Sequence, residues 1–145
     1  YGDIKMADSN YTPTWKIGTG LNHAPAYQVS GAPYAKAAID SNSAEGRIVH
    51  FPYVTRWVKI VNNDTSNAVK VAFSARGLAT ENNYFTVGKG AASQPTSTEI
   101  LELKVSELFL TGSTNVDIIA GLTGIHPRQC QNETGPNWSG SAGVG

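Results

Sequence analysis

The residues best suited to acid–base or metal chemistry are three histidines and one cysteine. They are His23, His50, His126 and Cys130, and only the last two lie close together, four positions apart. A structural zinc site needs four ligands, usually supplied as two such pairs, and no second pair accompanies this one. We therefore expect no metal and no cofactor, and interpret these side chains as polar loop or hydrogen-bonded strand residues.

Motifs for nucleophilic or phosphate chemistry are incomplete. The Gly-x-Ser-x-Gly turn that presents a hydrolase serine does not occur. The stretch VGKGAAS (87–93) lacks the spacing of a phosphate-binding loop, and no helical pattern follows it. Glu99 and Glu102 are three positions apart, so an alternating strand would place them on opposite faces. We predict no catalytic residue and expect that the protein is not an enzyme.

Three tryptophans are the remaining candidates for a functional surface. Trp15 and Trp138 lie in irregular terminal segments, whereas Trp57 lies in a segment typical of a β-strand. Exposed tryptophans on a β-sandwich can stack on sugar rings, but aromatic side chains are also enriched at contacts between subunits. We predict that Trp15, Trp57 and Trp138 belong to an assembly interface, with a sugar-binding site as the alternative.

Composition limits the fold and the partners. The 145 residues include 11 basic and 11 acidic side chains, so the net charge is zero. No basic run provides the electrostatic surface of a nucleic-acid-binding protein. No apolar stretch is long enough for a transmembrane segment, and the single cysteine allows no internal disulfide, which fits a reducing compartment. We expect one domain with no direct nucleic-acid binding and no transmembrane segment.

Four sequons occur, at Asn10, Asn63, Asn132 and Asn137. The N-terminal residues show no apolar segment of the kind found in signal peptides. We therefore interpret the sequons as incidental. The first residue is Tyr1 rather than Met, which indicates processing or a start inside a longer product.

The regular part of the chain has the pattern of short β-strands. In AVKVAFSA (68–75), Val69, Val71 and Phe73 alternate with polar or small residues, which is the period of a half-buried strand. Turn-forming clusters such as NNDTSN and TGSTN separate similar segments. The predicted strands are 34–40, 47–51, 54–62, 68–75, 84–87, 99–105, 107–110 and 116–122.

One of these segments has a competing interpretation. A helix over 99–110 would place Leu101, Val105 and Leu108 on one face. The alternation of Leu101, Leu103 and Val105, together with the strand-rich surroundings, favours a strand.

This succession of short strands predicts an all-β sandwich or barrel. Residues 34–126 form the predicted domain, between an extended N-terminal arm (1–33) and an extended C-terminal tail (127–145). Both ends are rich in Gly, Pro, Asn and Ser, and we expect the tail to serve assembly rather than the fold. The predicted core consists of Val58, Ile60, Val69, Val71, Phe73, Leu101, Leu103, Ile118 and Leu122.

The order of these segments resembles a known family. The succession FPYVTRWVKIVN, AVKVAFSARG, NYFTV, LELKVSELFL and VDIIAGLTGI resembles the single jelly-roll penton, or vertex, capsid proteins of large icosahedral double-stranded DNA viruses. The strand that ends in Ala-Gly-Leu-Thr-Gly-Ile is the most telling part. The resemblance implies a single eight-stranded antiparallel jelly roll in two sheets, without enzymatic activity.

The resemblance also implies partners and a location. Five copies would form a homopentamer around a fivefold axis, close a vertex of the capsid and contact neighbouring major and minor capsid proteins. The protein would be part of the virion after assembly in the host-cell cytoplasm. A shell separated from its genome by a membrane would need no basic arm, in agreement with the composition.

Three other functions stay open. A phage head-decoration or fibre-head β-domain would have similar strands and would form a trimer. A carbohydrate-binding β-sandwich would need coplanar exposed aromatic side chains on one sheet face. A small jelly-roll enzyme would need a polar cluster inside the barrel, where the predicted inward positions are mostly apolar.

Overall fold

The regular secondary structure is mostly β in the part that the structure, a computed structural model, describes, which is residue 21 and residues 32–145. Most of the predicted N-terminal arm lies outside these residues. One short helix, α1 (Ala75–Ala79), follows β4, and a 3-10 helix (Pro127–Cys130) precedes β9. The strands are β1 (Ala32–Ile39), β2 (Ile48–His50), β3 (Thr55–Asn62), β4 (Val69–Ala72), β5 (Tyr84–Val87), β6 (Thr96–Ser97), β7 (Glu107–Thr111), β8 (Val116–Leu122), β9 (Gln131–Asn132) and β10 (Gly135–Pro136).

Eight of these strands form two antiparallel four-stranded sheets. The strand orders are β1-β8-β3-β6 and β2-β7-β4-β5. Side chains from both sheets meet in one hydrophobic core, for example Val58 and Ile60 of β3 with Leu108 and Leu110 of β7. The predicted all-β, two-sheet sandwich is confirmed.

The alternation in the sequence decides which side chains enter this core. In β8, Val116, Ile118 and Ala120 are buried, whereas Asp117 and Ile119 between them point outward. Six of the predicted core residues are buried as expected, while Phe73, Leu101 and Leu103 are only partly buried and pack against the core from its rim. The buried six are Val58, Ile60, Val69, Val71, Ile118 and Leu122.

The segment 99–105 is not a regular strand, and the helix over 99–110 does not form either. The ladder beside β3 starts at Val61↔Ser97 and continues only as an isolated bridge, Val58↔Leu101. A regular antiparallel ladder continued from Val61↔Ser97 would pair Val58 with Ile100. Val58 pairs with Leu101 instead, so one extra residue has been inserted, as in a β-bulge. The prediction was wrong because a side chain enters the ladder.

At the shift this side chain is that of Thr98, whose hydroxyl accepts from the N–H of Ile60 at 3.1 Å. Further along the segment it is that of Thr55. Its hydroxyl donates to the carbonyl of Leu103 at 2.6 Å and accepts from the N–H of Val105 at 3.1 Å. Short polar side chains compete in this way with regular backbone pairing. Segment 98–105 therefore continues the β6 edge in an irregular, extended form.

Helix α1 interrupts the strand predicted over 68–75. The hydroxyl of Ser74 accepts from the N–H of Gly77 at 2.9 Å and caps the helix. Ala72 and Phe109 are paired across β4 and β7 and are buried, although alternation points them away from the core. The helix thus covers the part of the outer face of the sheet β2-β7-β4-β5 around Ala72 and Phe109.

The residues predicted as a C-terminal tail fold back onto the sandwich. Within 127–145 lie the 3-10 helix and the small antiparallel hairpin of β9 and β10. Cys130 is buried in a second apolar cluster with Val54 and Ile125, and Leu21 packs against it. The tail therefore contributes to the fold itself.

Asn137 makes the tightest connection between the tail and the sandwich. The residue is 1% exposed, and its Nδ2 donates to the carbonyls of Phe73 at 3.0 Å and Glu107 at 2.6 Å. Its Oδ1 accepts from the N–H of Ser106 at 2.7 Å. The backbone of Asn137 is left-handed, with φ 55°, a conformation that Asn tolerates better than most residues. The sequon at this position is closed to modification in the folded chain.

Replacing Asn137 should therefore destabilise the whole sandwich. In Asn137→Ala, one buried N–H and two carbonyls lose their partners, and each unsatisfied group costs roughly 1–3 kcal/mol. We expect the free energy of unfolding, measured by urea denaturation, to fall by about 3 kcal/mol or more.

The matched control is Asn115→Ala, since Asn115 is exposed in the turn between β7 and β8. This substitution should change the free energy of unfolding by less than about 0.5 kcal/mol. Equal effects of the two substitutions would contradict the role of Asn137.

Candidate functional site

A histidine and a carboxylate lie together at the edge of the second sheet. The register pairs His50 of β2 with Glu107 of β7, and Nδ1 of His50 lies 2.5 Å from Oε1 of Glu107. A groove of about 230 Å³ beside them is also lined by Arg128 and Gln131. A histidine oriented by a carboxylate is the arrangement of a general base, which would act in catalysis on a nucleophile within its reach.

Ser106 lines the same groove but is engaged elsewhere. Its hydroxyl lies 3.3 Å from Oδ1 of Asn137, and the residue is buried. The His50 side chain, by contrast, is 69% exposed. The groove thus combines a solvated cross-strand pair with a serine that holds the tail in place, and does not assemble a nucleophile with its base.

His126 and Cys130, the closest pair in the sequence, have separate structural roles. Nδ1 of His126 accepts from the N–H of Arg128 at 3.1 Å and caps the 3-10 helix. Burial raises the pKa of the Cys130 thiol to about 11, against a smaller lowering by Lys104, so the thiol is protonated at neutral pH. Among residues 21 and 32–145, no group of three or more His, Cys, Asp or Glu side chains is placed to hold a metal ion.

The glycine-rich stretch 87–93 forms a closed turn. The N–H of Gly90 donates to the carbonyl of Asp64 at 2.8 Å, and Ala91 and Gln94 exchange two backbone hydrogen bonds. These N–H groups are therefore committed to the fold rather than directed at a phosphate.

Trp57 lies on the outer face of the sheet β1-β8-β3-β6. It is paired across the strands with Gly121 of β8, and a Cβ built on Gly121 would lie 2.8 Å from Cε2 of the indole. The ring therefore rests directly on the glycine backbone. Ile119, two residues away on the same face, is 42% exposed, so the two side chains form a small outward-facing apolar surface.

Trp138 lies at a different place, in the C-terminal tail. It is 36% exposed and follows Asn137 with a second left-handed backbone, φ 59°. It lines an apolar groove of about 380 Å³ together with Phe73, Leu103 and Val105. Of the three predicted interface tryptophans, these two lie on different elements of the fold, and Trp15 lies outside the described residues.

The sequence did not reveal a buried polar network at one end of the sandwich. Asn62, at the end of β3, is fully buried; its Nδ2 donates to the carbonyls of Asn67 at 3.0 Å and Gly88 at 3.1 Å. Its Oδ1 accepts from the hydroxyl of Ser113 at 2.8 Å, and the hydroxyl of Ser41 donates to the carbonyl of Ser113 at 2.5 Å. Four loops are thereby tied to one amide.

Asp64 extends this network. Its carboxylate accepts from the N–H of Thr114 at 3.0 Å, Ser66 at 2.8 Å and Asn67 at 3.1 Å. These hydrogen bonds hold the pKa of Asp64 well below its usual range, and the one from the N–H of Thr114 has the largest effect. Burial has a smaller, opposing effect on this pKa. The only signal in the sequence was the turn cluster NNDTSN, which indicated a turn but not its partners.

Three comparisons, with protein-family models, curated proteins and solved structures, found no match for this chain. Function must therefore be inferred from the topology and the surfaces of the described residues.

The Asp64 network predicts a specific loss of stability in acid. The folded-state pKa of Asp64 is lower than its ordinary value of 3.8, so its contribution is complete above about pH 4 and is lost as the pH falls further. Asp64→Asn should lower stability at neutral pH and flatten the decline of the free energy of unfolding below pH 4, as measured by urea denaturation at several pH values.

Glu133→Gln provides the control, because Glu133 is an exposed carboxylate in the turn between β9 and β10. This variant should retain the acid dependence of the parent chain. If Asp64→Asn retains it as well, the carboxylate does not act as described.

Proposed function

We propose that the chain is a viral structural protein, a penton capsomer subunit that closes the fivefold vertices of an icosahedral capsid. The observation that carries this proposal is the strand order. β1 pairs with β8, β2 with β7, β3 with β6 and β4 with β5. These are the pairings of one long antiparallel hairpin that has been rolled up.

Two further pairings close the roll into a sandwich. β8 also pairs with β3, and β7 also pairs with β4. The resulting orders, β1-β8-β3-β6 and β2-β7-β4-β5, agree with those expected of a jelly roll, a fold of two Greek keys used by viral capsid proteins, lectin domains and cupins, and this agreement supports the proposal. Fold alone does not decide among these functions, so the surfaces must contribute.

The surfaces favour an assembling protein over a binding or catalytic one. The exposed large apolar side chains are Tyr53, Ile100, Ile119 and Trp138. Single exposed apolar residues are ordinary on a protein surface, whereas apolar residues that adjoin one another, as near Trp57 and Trp138, are a feature of interaction surfaces. The apolar side chains near Trp57 and Trp138 support the role of both tryptophans at subunit contacts, and a chain without net charge opposes association little.

The role of a penton subunit implies particular partners and a particular location. The neighbours of a penton are the major and minor capsid proteins, and its location is the virion after assembly in the host-cell cytoplasm. Among the described residues, no helix is long and apolar enough to cross a membrane.

A carbohydrate-binding domain is the second candidate. The indole of Trp57 rests on Gly121, and an aromatic ring held on the outer face of a sheet is a platform on which a sugar ring can stack. Such a domain would bind glycans as a monomer, and Trp57→Ala would abolish binding.

The mass of the purified chain in solution tests both candidates. We expect native mass spectrometry and light scattering, over a range of concentrations, to detect a pentamer or a concentration-dependent increase towards one. A trimer would indicate a phage head-decoration or fibre-head domain instead. A monomer at every concentration that binds a glycan array through Trp57 would overturn the capsid proposal in favour of carbohydrate binding.

A further inference from the structure

The jelly-roll pairing gives the sandwich two different lateral sides. Side A consists of the edge strands β1 and β2, with Arg47, whose carbonyl accepts from the N–H of Leu110 and so extends β2, and the loop 40–46 between them. The edge-to-face contact of Tyr34 in β1 with Phe51, which directly follows β2, has 5.0 Å between ring centroids and joins the two strands. Side B consists of the edge strands β5 and β6, the loop 88–95 between them and the segment 98–105. A ring of identical copies needs two such different sides, because each contact in it is heterologous.

The strands of the two sides carry opposite charges. On side A, Lys36 lies in β1 and Arg47 directly precedes β2, and both are exposed. On side B, Glu99 and Glu102 are exposed on the segment 98–105. Lys104 also lies on side B, at the end of this segment.

The loops of the two sides carry charges in the reverse order. Asp40 and Glu45 are exposed in the loop of side A, and Lys89 is exposed in the loop of side B. Both loops lie at the same end of the sandwich, where the network of Asn62 and Ser113 connects them. On side A, the strand charges are therefore basic and the loop charges acidic. On side B, Glu99 and Glu102 of the segment 98–105 are acidic and Lys89 of the loop is basic.

The sheet register aligns Lys36 of side A with Glu99 of side B in height. Lys36 is paired with Ile118, Ile118 with Ile60, and the N–H of Thr98 donates to the carbonyl of Ile60. Lys36 on side A and Thr98 on side B, the residue before Glu99, are thus the two ends of one row across the sheet. Rotation about an axis parallel to the strands preserves height, and would bring the end of a row in one copy to the start of that row in the next.

The shapes of the two edges are also complementary. Side A presents small exposed side chains, Ala35 and Ala37. Side B presents Ile100, which is 59% exposed. The row of Ala35 crosses Ile119 and Lys59 and reaches side B between Thr98 and Leu101, the stretch that contains Ile100.

We propose that side A of one copy docks against side B of the next copy, with Lys36 facing Glu99, and Ile100 packing on Ala35 and Ala37. This inference rests on the proposed function, since it describes how copies of this chain form a ring. It adds the contact surface, the identity of the partner surface and the direction of the ring axis along the strands.

The contact is made by side chains rather than by strand addition. Pro33 lacks an N–H, the β1–β8 register is interrupted between Lys36 and Ile39, and Ala38 within this interruption has a left-handed backbone, φ 55°. Proline, charge and bulges are the features that prevent an edge strand from pairing with another chain.

Two cysteine variants test the contact directly. Ala35→Cys and Ile100→Cys are prepared separately, mixed and oxidised; the native Cys130 is buried and does not compete. We expect a disulfide-linked dimer in the mixture at a yield severalfold above that of either variant alone. Glu133→Cys mixed with Ala35→Cys is the matched control, because Glu133 is exposed on the β9–β10 hairpin.

The outcomes of the crosslinking experiment are distinct. A dimer from Ala35→Cys alone, at the yield of the mixture, would show that side A meets side A and would overturn the proposal. A mixture that crosslinks no better than the control pair would overturn it as well.

A charge exchange provides the second test, with association measured by native mass spectrometry. Lys36→Glu and Glu99→Lys should each weaken association by about threefold per contact, the effect of an exposed ion pair, and the double variant Lys36→Glu/Glu99→Lys should restore it. Circular dichroism of each variant verifies the fold.

The two proposals can fail separately. The chain could form a closed pentamer whose mass does not change in Lys36→Glu or Glu99→Lys and in which Ala35→Cys and Ile100→Cys crosslink no better than the control pair. This result would leave the proposed function in place and overturn the A-to-B contact. A trimer with the A-to-B crosslink would support the contact and overturn the penton. A parent chain that is monomeric at every concentration would overturn both.

Discussion

The buried amide of Asn62 is the interaction on which the ordered end of this sandwich depends. Alternation along β3 points this residue inward after Val58 and Ile60, where an apolar side chain would fill the core. An unpaired amide there would be costly, yet both ends of this amide have partners, among them the hydroxyl of Ser113 and the carbonyl of Gly88. A satisfied polar group in the interior fixes one arrangement of its surroundings, and here it fixes four loops.

A second asparagine does comparable work near the opposite end. Asn137 connects the tail to the backbone of Phe73, Ser106 and Glu107, and the hydroxyl of Ser74 donates to the carbonyl of Val144 at 3.0 Å. Loops and tail thus secure both ends, and α1 covers part of the outer face of one sheet. The lateral sides and the outer face that carries Trp57 are left for contacts with other molecules.

Much of the fold was predictable because strand burial follows a period of two. The bounds of β5 and β8 agree with the segments 84–87 and 116–122, since in both the alternation is uninterrupted and turn residues flank it. The segment 99–105 alternates equally well but is irregular, because the hydroxyl of Thr55, more than 40 positions away, occupies its ladder. A local pattern contains no information about such a distant partner.

The candidate surfaces were less predictable for the same reason. Trp57 was recognisable as an outward strand residue, but its position on Gly121 depends on the pairing of β3 with β8. Asn137 had the composition of a loop residue, and its buried position depends on three backbone groups that lie at least 30 positions earlier in the chain. Polar residues in turn-like sequences are compatible with both a solvated loop and a buried network, and only the tertiary structure distinguishes them.

The charge pattern of the lateral sides also bears on which assemblies are disfavoured. If side A met side A about a two-fold axis parallel to the strands, Lys36 would face Lys36 of the other copy, whereas an A-to-B contact places Glu99 opposite it. Like-charge pairs disfavour the wrong partner surface more effectively than opposite charges strengthen the right one. A chain with zero net charge can thus still favour one mode of association, because the sign of its charge depends on the side and the height at which a neighbour approaches. That selection against the two-fold contact is what a ring needs, since a ring closes only if every copy presents the same side to its neighbour.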